Sequence, residues 1–131
     1  SAVLVKPSGS LICAGNVTDN QYSLFFYGAT QLIGYQYYDT SLASSVNKYS
    51  TSTINRDTWC HVTAVKNGTS LSLYINGILD STQTITTLVP NTFTRISIGY
   101  NPNDASQYYY GKIGSIKIYN KALSATEPMI G

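Results

Sequence analysis

The sequence predicts an all-β protein, built as an antiparallel two-sheet β-sandwich of jelly-roll type. The clearest evidence is that residues 59–66 and 70–76 each alternate between apolar and polar side chains, as half-buried strands do. Asn67-Gly68 and Asn76-Gly77 follow these segments, and both residue types tolerate the positive φ angles of tight hairpin turns. No stretch of the chain shows sustained helical periodicity. Strands joined by short turns favour a sandwich over other architectures.

The second of these segments has one apolar and one polar face. Its apolar face holds Leu71, Leu73 and Ile75, and its polar face holds Ser70, Ser72, Tyr74 and Asn76. An antiparallel sheet with one face on the core and one face in water has this pattern. We therefore expect a three-stranded meander over residues 59–80.

Further short strands are expected on both sides of the meander, to a total of about ten. In chain order they cover residues 2–5, 11–14, 22–27, 32–38, 49–54, 94–100 and 108–120, the last with a bend at Gly114. Residues 39–48 are rich in Ser and Ala and are predicted to form a surface loop, as is the turn-rich segment 101–107. Pro128 limits residues 124–127 to a single helical turn.

The composition is that of one globular domain with an unusually neutral surface. A chain of 131 residues with a hydrophobic fraction of 43% fits a single domain, residues 1–131. Charged residues make up 11%, against roughly 25% in ordinary soluble domains. The net charge is only +2 and the Lys and Arg residues are scattered along the chain, which argues against nucleic-acid binding. No apolar run approaches the ~20 residues of a membrane span, which argues against membrane insertion.

The two cysteines, Cys13 and Cys60, leave two interpretations open. A disulfide between them would stabilise the fold by about 4 kcal/mol in the chain-entropy model. Alternatively, both are reduced thiols that pack as small apolar groups.

A series of short motifs follows along the chain in the order and at the spacing of a known family. The motifs are Trp59-x-His61-Val62, Gly68-Thr69-x-Leu71-x-Leu73-Tyr74-Ile75-Asn76-Gly77, Ile98-Gly99-Tyr100-Asn101, Tyr110-Gly111-Lys112-Ile113 and Lys117-Ile118-Tyr119-Asn120-Lys121-Ala122-Leu123-Ser124. The series resembles the laminin G-like jelly-roll domains of the concanavalin A-like lectin/glucanase superfamily. The resemblance extends from about Leu4 to Glu127, and it implies two antiparallel sheets packed face to face.

The resemblance also implies that the domain is short at its N-terminus. Members of the family usually have one or two strands before the segment that matches residues 2–6. A sandwich that lacks an edge strand exposes unpaired backbone groups. We therefore expect residues 2–6 to pair with another protein chain of a larger assembly.

Some proteins of the superfamily are glycoside hydrolases, but the residues for such catalysis are missing from the pattern. Cleavage of a glycosidic bond needs two carboxyl groups placed together. Glu127 is the single Glu, and the Asp residues are on separate segments, at Asp19, Asp39, Asp57, Asp80 and Asp104. His61, the single histidine, is expected to pack or hydrogen-bond beside Trp59. We therefore predict no enzymatic activity and no catalytic residues.

The predicted ligand site lies in the segment that combines amides, a carboxylate and aromatic rings. Sugar rings stack on aromatic side chains, and their hydroxyl groups bind amides and carboxylates. The predicted ligand-binding residues are Asn101, Asn103, Asp104, Tyr108 and Tyr110. Tyr35, Tyr37 and Tyr38 form an alternative platform. Asn101, Asn103 and Asp104 are also a weak calcium candidate, but one carboxylate gives little charge, so no cofactor is expected.

These observations favour a lectin-like, non-catalytic carbohydrate-binding or adhesion module with glycans or glycoconjugates as partners. The expected location is extracellular or on a virion surface. The alternative is a structural decoration or appendage protein of a virus or phage particle, assembled through protein–protein contacts. The low charge and the missing edge strand both suit this alternative.

Overall fold

The computed structural model of the chain describes residues 9–15, 20–28, 30–54, 59–86, 95–101, 104–109, 113–114 and 116. Within these residues the regular structure consists of strands, without a helix, as the sequence predicts. The ten strands are β1 (Gly9–Gly15), β2 (Asn20–Tyr27), β3 (Leu32–Asp39), β4 (Ser44–Tyr49), β5 (Val62–Asn67), β6 (Ser70–Ile75), β7 (Ile78–Thr84), β8 (Arg95–Ile98), β9 (Tyr100–Asn101) and β10 (Asp104–Tyr108). The described part contains no helix that is long and apolar enough to cross a membrane.

Five strands form the larger sheet in the order β4-β3-β2-β1-β8, and every neighbouring pair is antiparallel. Between β2 and β3 the Gln31 N–H donates to the Tyr27 carbonyl at 2.8 Å. A bulge at Leu11 shifts the register of β1 against β2. Such bulges increase local twist and re-aim side chains.

The expected meander is the second sheet, in the order β5-β6-β7. Asn76 and Gly77 join β6 to β7 with φ angles of 53° and 78°, as a tight hairpin turn requires. The turn between β5 and β6 lies one residue later than predicted, because Asn67 pairs with Ser70 inside the ladder. Gly68, with φ of 60°, is therefore the first residue of that turn.

The core lies between the two sheets. Tyr35 and Tyr37 of β3 pack against Leu71 and Leu73 of β6, and Ile85 completes the cluster, with Val46 and Ala64 packed at its margin. Leu71 is 0% and Leu73 2% exposed, and full burial of a Leu side chain contributes about 1.5–3 kcal/mol. The alternation of β6 therefore fixes which face of the meander is inside.

Two polar side chains of β7 tie the sheets together. A bulge in β7 leaves Asp80 between the pairs Tyr74–Leu79 and Leu73–Ser81. The carboxylate of Asp80 accepts from the Thr51 N–H at 2.6 Å and from the Ser52 N–H at 3.1 Å. Three residues further along β7, Gln83 Nε2 donates to the Tyr49 carbonyl at 2.7 Å. Both contacts hold the end of β4 against the meander.

The predicted loop 39–48 is wrong, since residues 44–49 form β4 and the strand ends at Tyr49 rather than beginning there. Asp39 closes the hairpin: its Oδ1 accepts from the Ser41 hydroxyl at 2.6 Å and from the Ser41 N–H at 2.8 Å. The hydroxyl bond, with the N–H bonds of Ser41 and Leu42, lowers the pKa of this carboxyl against the opposing effect of burial. Val46 alone gives β4 an apolar contact with the core, which is too weak a signal for a strand prediction.

The predicted loop 101–107 is also wrong in part, because Asp104–Tyr108 is strand β10. Segments 2–5 and 124–127, most of segment 108–120, and the proposed pairing edge at residues 2–6 lie outside the described residues.

Candidate functional site

The segment predicted to bind ligand forms a two-stranded hairpin of β9 and β10. The register pairs Asn101 with Asp104 and Tyr100 with Tyr108. The backbone therefore brings Asn101, Asp104 and Tyr108 to one hairpin, whereas Asn103 and Tyr110 lie outside the described residues. The role of these five residues in ligand binding stays a prediction.

A single glycine joins this hairpin to the larger sheet. Gly99 follows β8 with a φ of 83°, in a region that side-chain-bearing residues rarely adopt. Its N–H donates to the Leu11 carbonyl at 3.0 Å, and its carbonyl accepts from the Tyr109 N–H at 2.8 Å. These two bonds fix the direction in which the hairpin leaves β8.

A group of aromatic rings lies on the outer face of the larger sheet, which is the face opposite the core. Phe25 and Tyr49 pair with Gly34 from its two sides. Because Gly34 has no side chain, the Phe25 ring lies over it, and an ideal Cβ there would be 2.3 Å from Phe25 Cζ. The Phe25 and Tyr49 rings meet edge to face, with centroids 6.0 Å apart and planes at 83°.

Tyr27 extends the group toward solvent. Its ring centroid is 5.8 Å from that of Tyr49, with the planes tilted by 41°. Tyr27 is 38% exposed, and Phe25 and Tyr49 are partly exposed. We call Phe25, Tyr27 and Tyr49 the aromatic cluster, since together they offer accessible ring surface.

Two amides lie beside the aromatic cluster on the same face. Gln36 and Asn47 are cross-strand partners. Gln36 lies two residues after Gly34 on β3, and Asn47 lies two residues before Tyr49 on β4. Gln36 Nε2 donates to Asn47 Oδ1 at 2.9 Å in an exposed position. Amides joined in this way keep a carbonyl oxygen and amide hydrogens for other partners. We call these two residues the amide pair.

The sequence pattern does not single out these five residues. The available signal is Gly34 inside a strand of bulky residues, since such a glycine marks a close approach of another group. The alternative tyrosine platform is wrong for Tyr35 and Tyr37, which are 7% and 4% exposed in the core. Tyr38 lies on the outer face and is half-buried.

The carboxylates of Asp39 and Asp80 both have backbone partners, which are N–H groups of a neighbouring turn. Where the structure describes side chains, no three of His, Cys, Asp and Glu lie close enough to hold a metal ion. Asp19, Asp57 and Glu127 lie outside the described residues.

His61 and Trp59 are both exposed rather than packed in the core. The Trp59 ring is 68% exposed, with Cζ3 within 3.3 Å of an ideal Cβ on Gly114. His61 Nδ1 lies 3.5 Å from Thr63 Oγ1, and the backbone N–H of His61 donates to Asn76 Oδ1 at 2.9 Å. The hydrogen bonds of His61 thus support the start of β5.

Cys13 and Cys60 are two thiols and not a disulfide in this structure. Cys13 is buried, and Cys60 is partly buried beside the His61 carbonyl, 3.8 Å from its sulfur. Burial raises the pKa of the Cys60 thiol.

The chain belongs to the concanavalin A-like lectin/glucanases superfamily, because a laminin G model of that superfamily matches residues 5–127. The resemblance read from the motifs is therefore confirmed. No curated protein matches the chain.

Three solved structures share the fold at low sequence identity. The CBM40 carbohydrate-binding module of Ruminococcus gnavus IT-sialidase has a TM-score of 0.72 and 16% identity, over 96% of this chain and 74% of that chain. The same module bound to α2,3-sialyllactose has a TM-score of 0.71 and 17% identity, over 99% and 77%. An S-layer domain-containing protein of Clostridium thermocellum has a TM-score of 0.50 and 21% identity, over 99% and 65%. These likenesses confirm the jelly-roll sandwich.

Proposed function

We propose that this chain is a non-catalytic carbohydrate-binding module. The observation that carries the proposal is the aromatic cluster beside the amide pair on the outer face of the larger sheet. The apolar face of a sugar ring stacks on aromatic side chains, while its hydroxyl groups exchange hydrogen bonds with amides. The outer face supplies both kinds of group next to each other.

The comparisons support this proposal at the level of fold. Two of the similar structures are of one carbohydrate-binding module of a sialidase, and in one of them it holds α2,3-sialyllactose. A fold alone does not determine function, so the weight of the proposal rests on the residues of the outer face.

The lack of catalysis is also part of the proposal. Glycoside cleavage needs two carboxyl groups across one bond, and the side chains of Asp39 and Asp80 are both engaged with backbone N–H groups. Binding without cleavage is what such a surface supports.

The β9–β10 hairpin is proposed as a second contact region, through Asn101, Asn103, Asp104, Tyr108 and Tyr110. Calcium is proposed to have no role there, because a single carboxylate attracts the ion weakly. The proposed setting is extracellular or on a particle surface, with glycoconjugates as partners.

A structural role in a larger assembly is the second candidate function, and exposed apolar side chains favour it. Trp59 and Ile78 are 68% and 71% exposed, and burial of such apolar side chains against another protein chain is favourable. In this case the chain would be a decoration or appendage protein of a particle, held by other protein chains.

A glycan array with the immobilised chain tests the two candidates. We expect binding to at least one glycan class, unchanged by EDTA, and no release of free sugar over hours. Binding to no glycan, together with stable incorporation into a larger assembly, would exclude the module and favour the structural role.

A further inference from the structure

We infer that the aromatic cluster and the amide pair bind a neutral sugar ring rather than an acidic one. The inference rests on the proposed carbohydrate-binding function and adds the chemical class of the ligand and the place where it binds.

The part of the outer face that carries the site has no charged residue among those the structure describes. Residues 23–27, 32–38 and 45–49 form this part of β2, β3 and β4, and they contain one charged residue, Lys48. Lys48 pairs with Tyr35, whose side chain lies in the core, so alternation places Lys48 on the inner face.

Strand β8 of the same sheet carries one charged residue, Arg95. It pairs with Gly15 and belongs to β8, three strands away from Gln36 across the sheet. Three strand spacings amount to about 14 Å. Arg95 is therefore not adjacent to the amide pair.

An acidic sugar would be poorly matched to such a surface. A carboxylate is held best by a charge-assisted pair with Arg or Lys, and desolvating it without a charged partner carries a free-energy cost. Neutral hydroxyl groups, in contrast, exchange hydrogen bonds with amides without that cost. The surface therefore favours a neutral ring.

The spacing of Tyr49 from the amide pair fits one sugar ring bound across both. Tyr49 and Asn47 are two residues apart on β4, as are Gly34 and Gln36 on β3, which places the amide pair about 7 Å along the strands from the aromatic row. Tyr27 supplies the most exposed ring of the cluster. Tyr27 pairs with Leu32 and so lies one row further from the amide pair than Tyr49 does. A sugar stacked on Tyr49 would thus point one edge toward Gln36 and Asn47 and its opposite end toward Tyr27.

The experiment compares neutral oligosaccharides with their sialylated counterparts, lactose and α2,3-sialyllactose among them, by array and by titration calorimetry with the full chain. We expect binding to neutral glycans, no gain from sialylation, and affinity that changes less than about twofold between low and high salt. Tyr27→Ala and the double variant Gln36→Ala/Asn47→Ala should each weaken binding about tenfold. Tyr27→Phe, which keeps the ring, should retain most of the affinity.

Thr82→Ala is the matched control, since Thr82 is exposed on β7 of the other sheet and bonds the Ser72 hydroxyl at 3.3 Å. It should bind as the unmodified chain does. Where Tyr27→Ala does not fold, Tyr27→Phe with the single variants of the amide pair decides.

The possible failures are distinguishable. Binding restricted to sialylated glycans, or neutral binding that the outer-face variants leave unchanged, would overturn this inference and leave the carbohydrate-binding function in place. Binding to no glycan at all would overturn both.

Discussion

The ring of Phe25 rests on the backbone of Gly34, closer than any side chain at position 34 would permit. An ideal Cβ on Gly34 would come within 2.3 Å of Phe25 Cζ and 2.7 Å of both Cε atoms. The Phe25 ring of β2 thus fills the space that a side chain at position 34 of β3 would occupy. In this position the ring makes its edge-to-face contact with Tyr49.

The first prediction concerns Gly34→Ala. The added methyl group pushes the Phe25 ring off the sheet and breaks its edge-to-face contact with Tyr49, so the free energy of unfolding should fall by about 1 kcal/mol. Urea denaturation measures the change. In a Phe25→Leu background the same substitution should cost less, and equal costs in both backgrounds would contradict the mechanism.

The second prediction concerns the core. Leu73→Ala leaves a cavity beside Tyr35 and Tyr37 and should lower the free energy of unfolding by about 2–5 kcal/mol. Leu79→Ala is the control, because Leu79 is 52% exposed on β7 and should cost less than about 0.5 kcal/mol. Similar losses in the two variants, measured by denaturation, would place the core elsewhere.

The third prediction concerns the connection between the sheets. Asp80→Ala removes the acceptor of the Thr51 and Ser52 N–H groups and should cost about 1.5 kcal/mol of stability. Asp80→Asn keeps one oxygen and should lose less. Thermal unfolding of the two variants measures their losses of stability. An equal loss in Asp80→Asn and Asp80→Ala would argue against this role of the carboxylate.

The fourth prediction concerns the thiols. Under denaturing, non-reducing conditions, alkylation followed by mass measurement should add two labels, one each on Cys13 and Cys60. In the native chain Cys60 should react slowly, because burial raises its pKa and so lowers the fraction of reactive thiolate. Cys13 should react only on unfolding, since it is 2% exposed. No label under denaturing conditions would demonstrate a disulfide.

The fifth prediction concerns acid stability. The pKa of Asp39 is lower in the folded chain than its ordinary value, chiefly because the Ser41 hydroxyl bonds its carboxylate. The corresponding stability is therefore present above the ordinary Asp pKa and is lost as the pH falls through the folded value. Asp39→Asn should flatten this acid limb in unfolding experiments between pH 6 and pH 2. If the loss of stability between pH 6 and pH 2 is the same in Asp39→Asn as in the unmodified chain, other carboxyl groups cause the acid sensitivity.

The fold class was predictable because β6 alternates through Leu71 and Leu73 and the meander has two glycine-containing turns. The predicted polar face is wrong for Tyr74, which is 9% exposed. Leu71 and Leu73 are indeed buried, and Asn76-Gly77 is indeed a turn. The strand β4 was not predictable, because Val46 is its one apolar contact with the core and the strand is also held by backbone pairs with β3 and by a hydrogen bond from the distant Gln83.

The residue types of the candidate site were predictable from the sequence, but their positions were not. Amides beside tyrosines were expected, but at residues 101–110, where they cluster in sequence. The aromatic cluster and the amide pair come from β2, β3 and β4 and meet only through cross-strand register. A one-residue slip of that register would place them on the opposite face, so no local pattern reveals them.

Tyr49 has a further consequence for anyone who wishes to transplant this surface onto another scaffold. Its ring faces outward in the aromatic cluster, while its carbonyl is held from behind by Gln83 of the other sheet. Copying β2, β3 and β4 alone would keep the pairing of Tyr49 with Gly34 but would leave the Tyr49 carbonyl without its Gln83 donor. The minimal transferable unit therefore includes a residue of the other sheet.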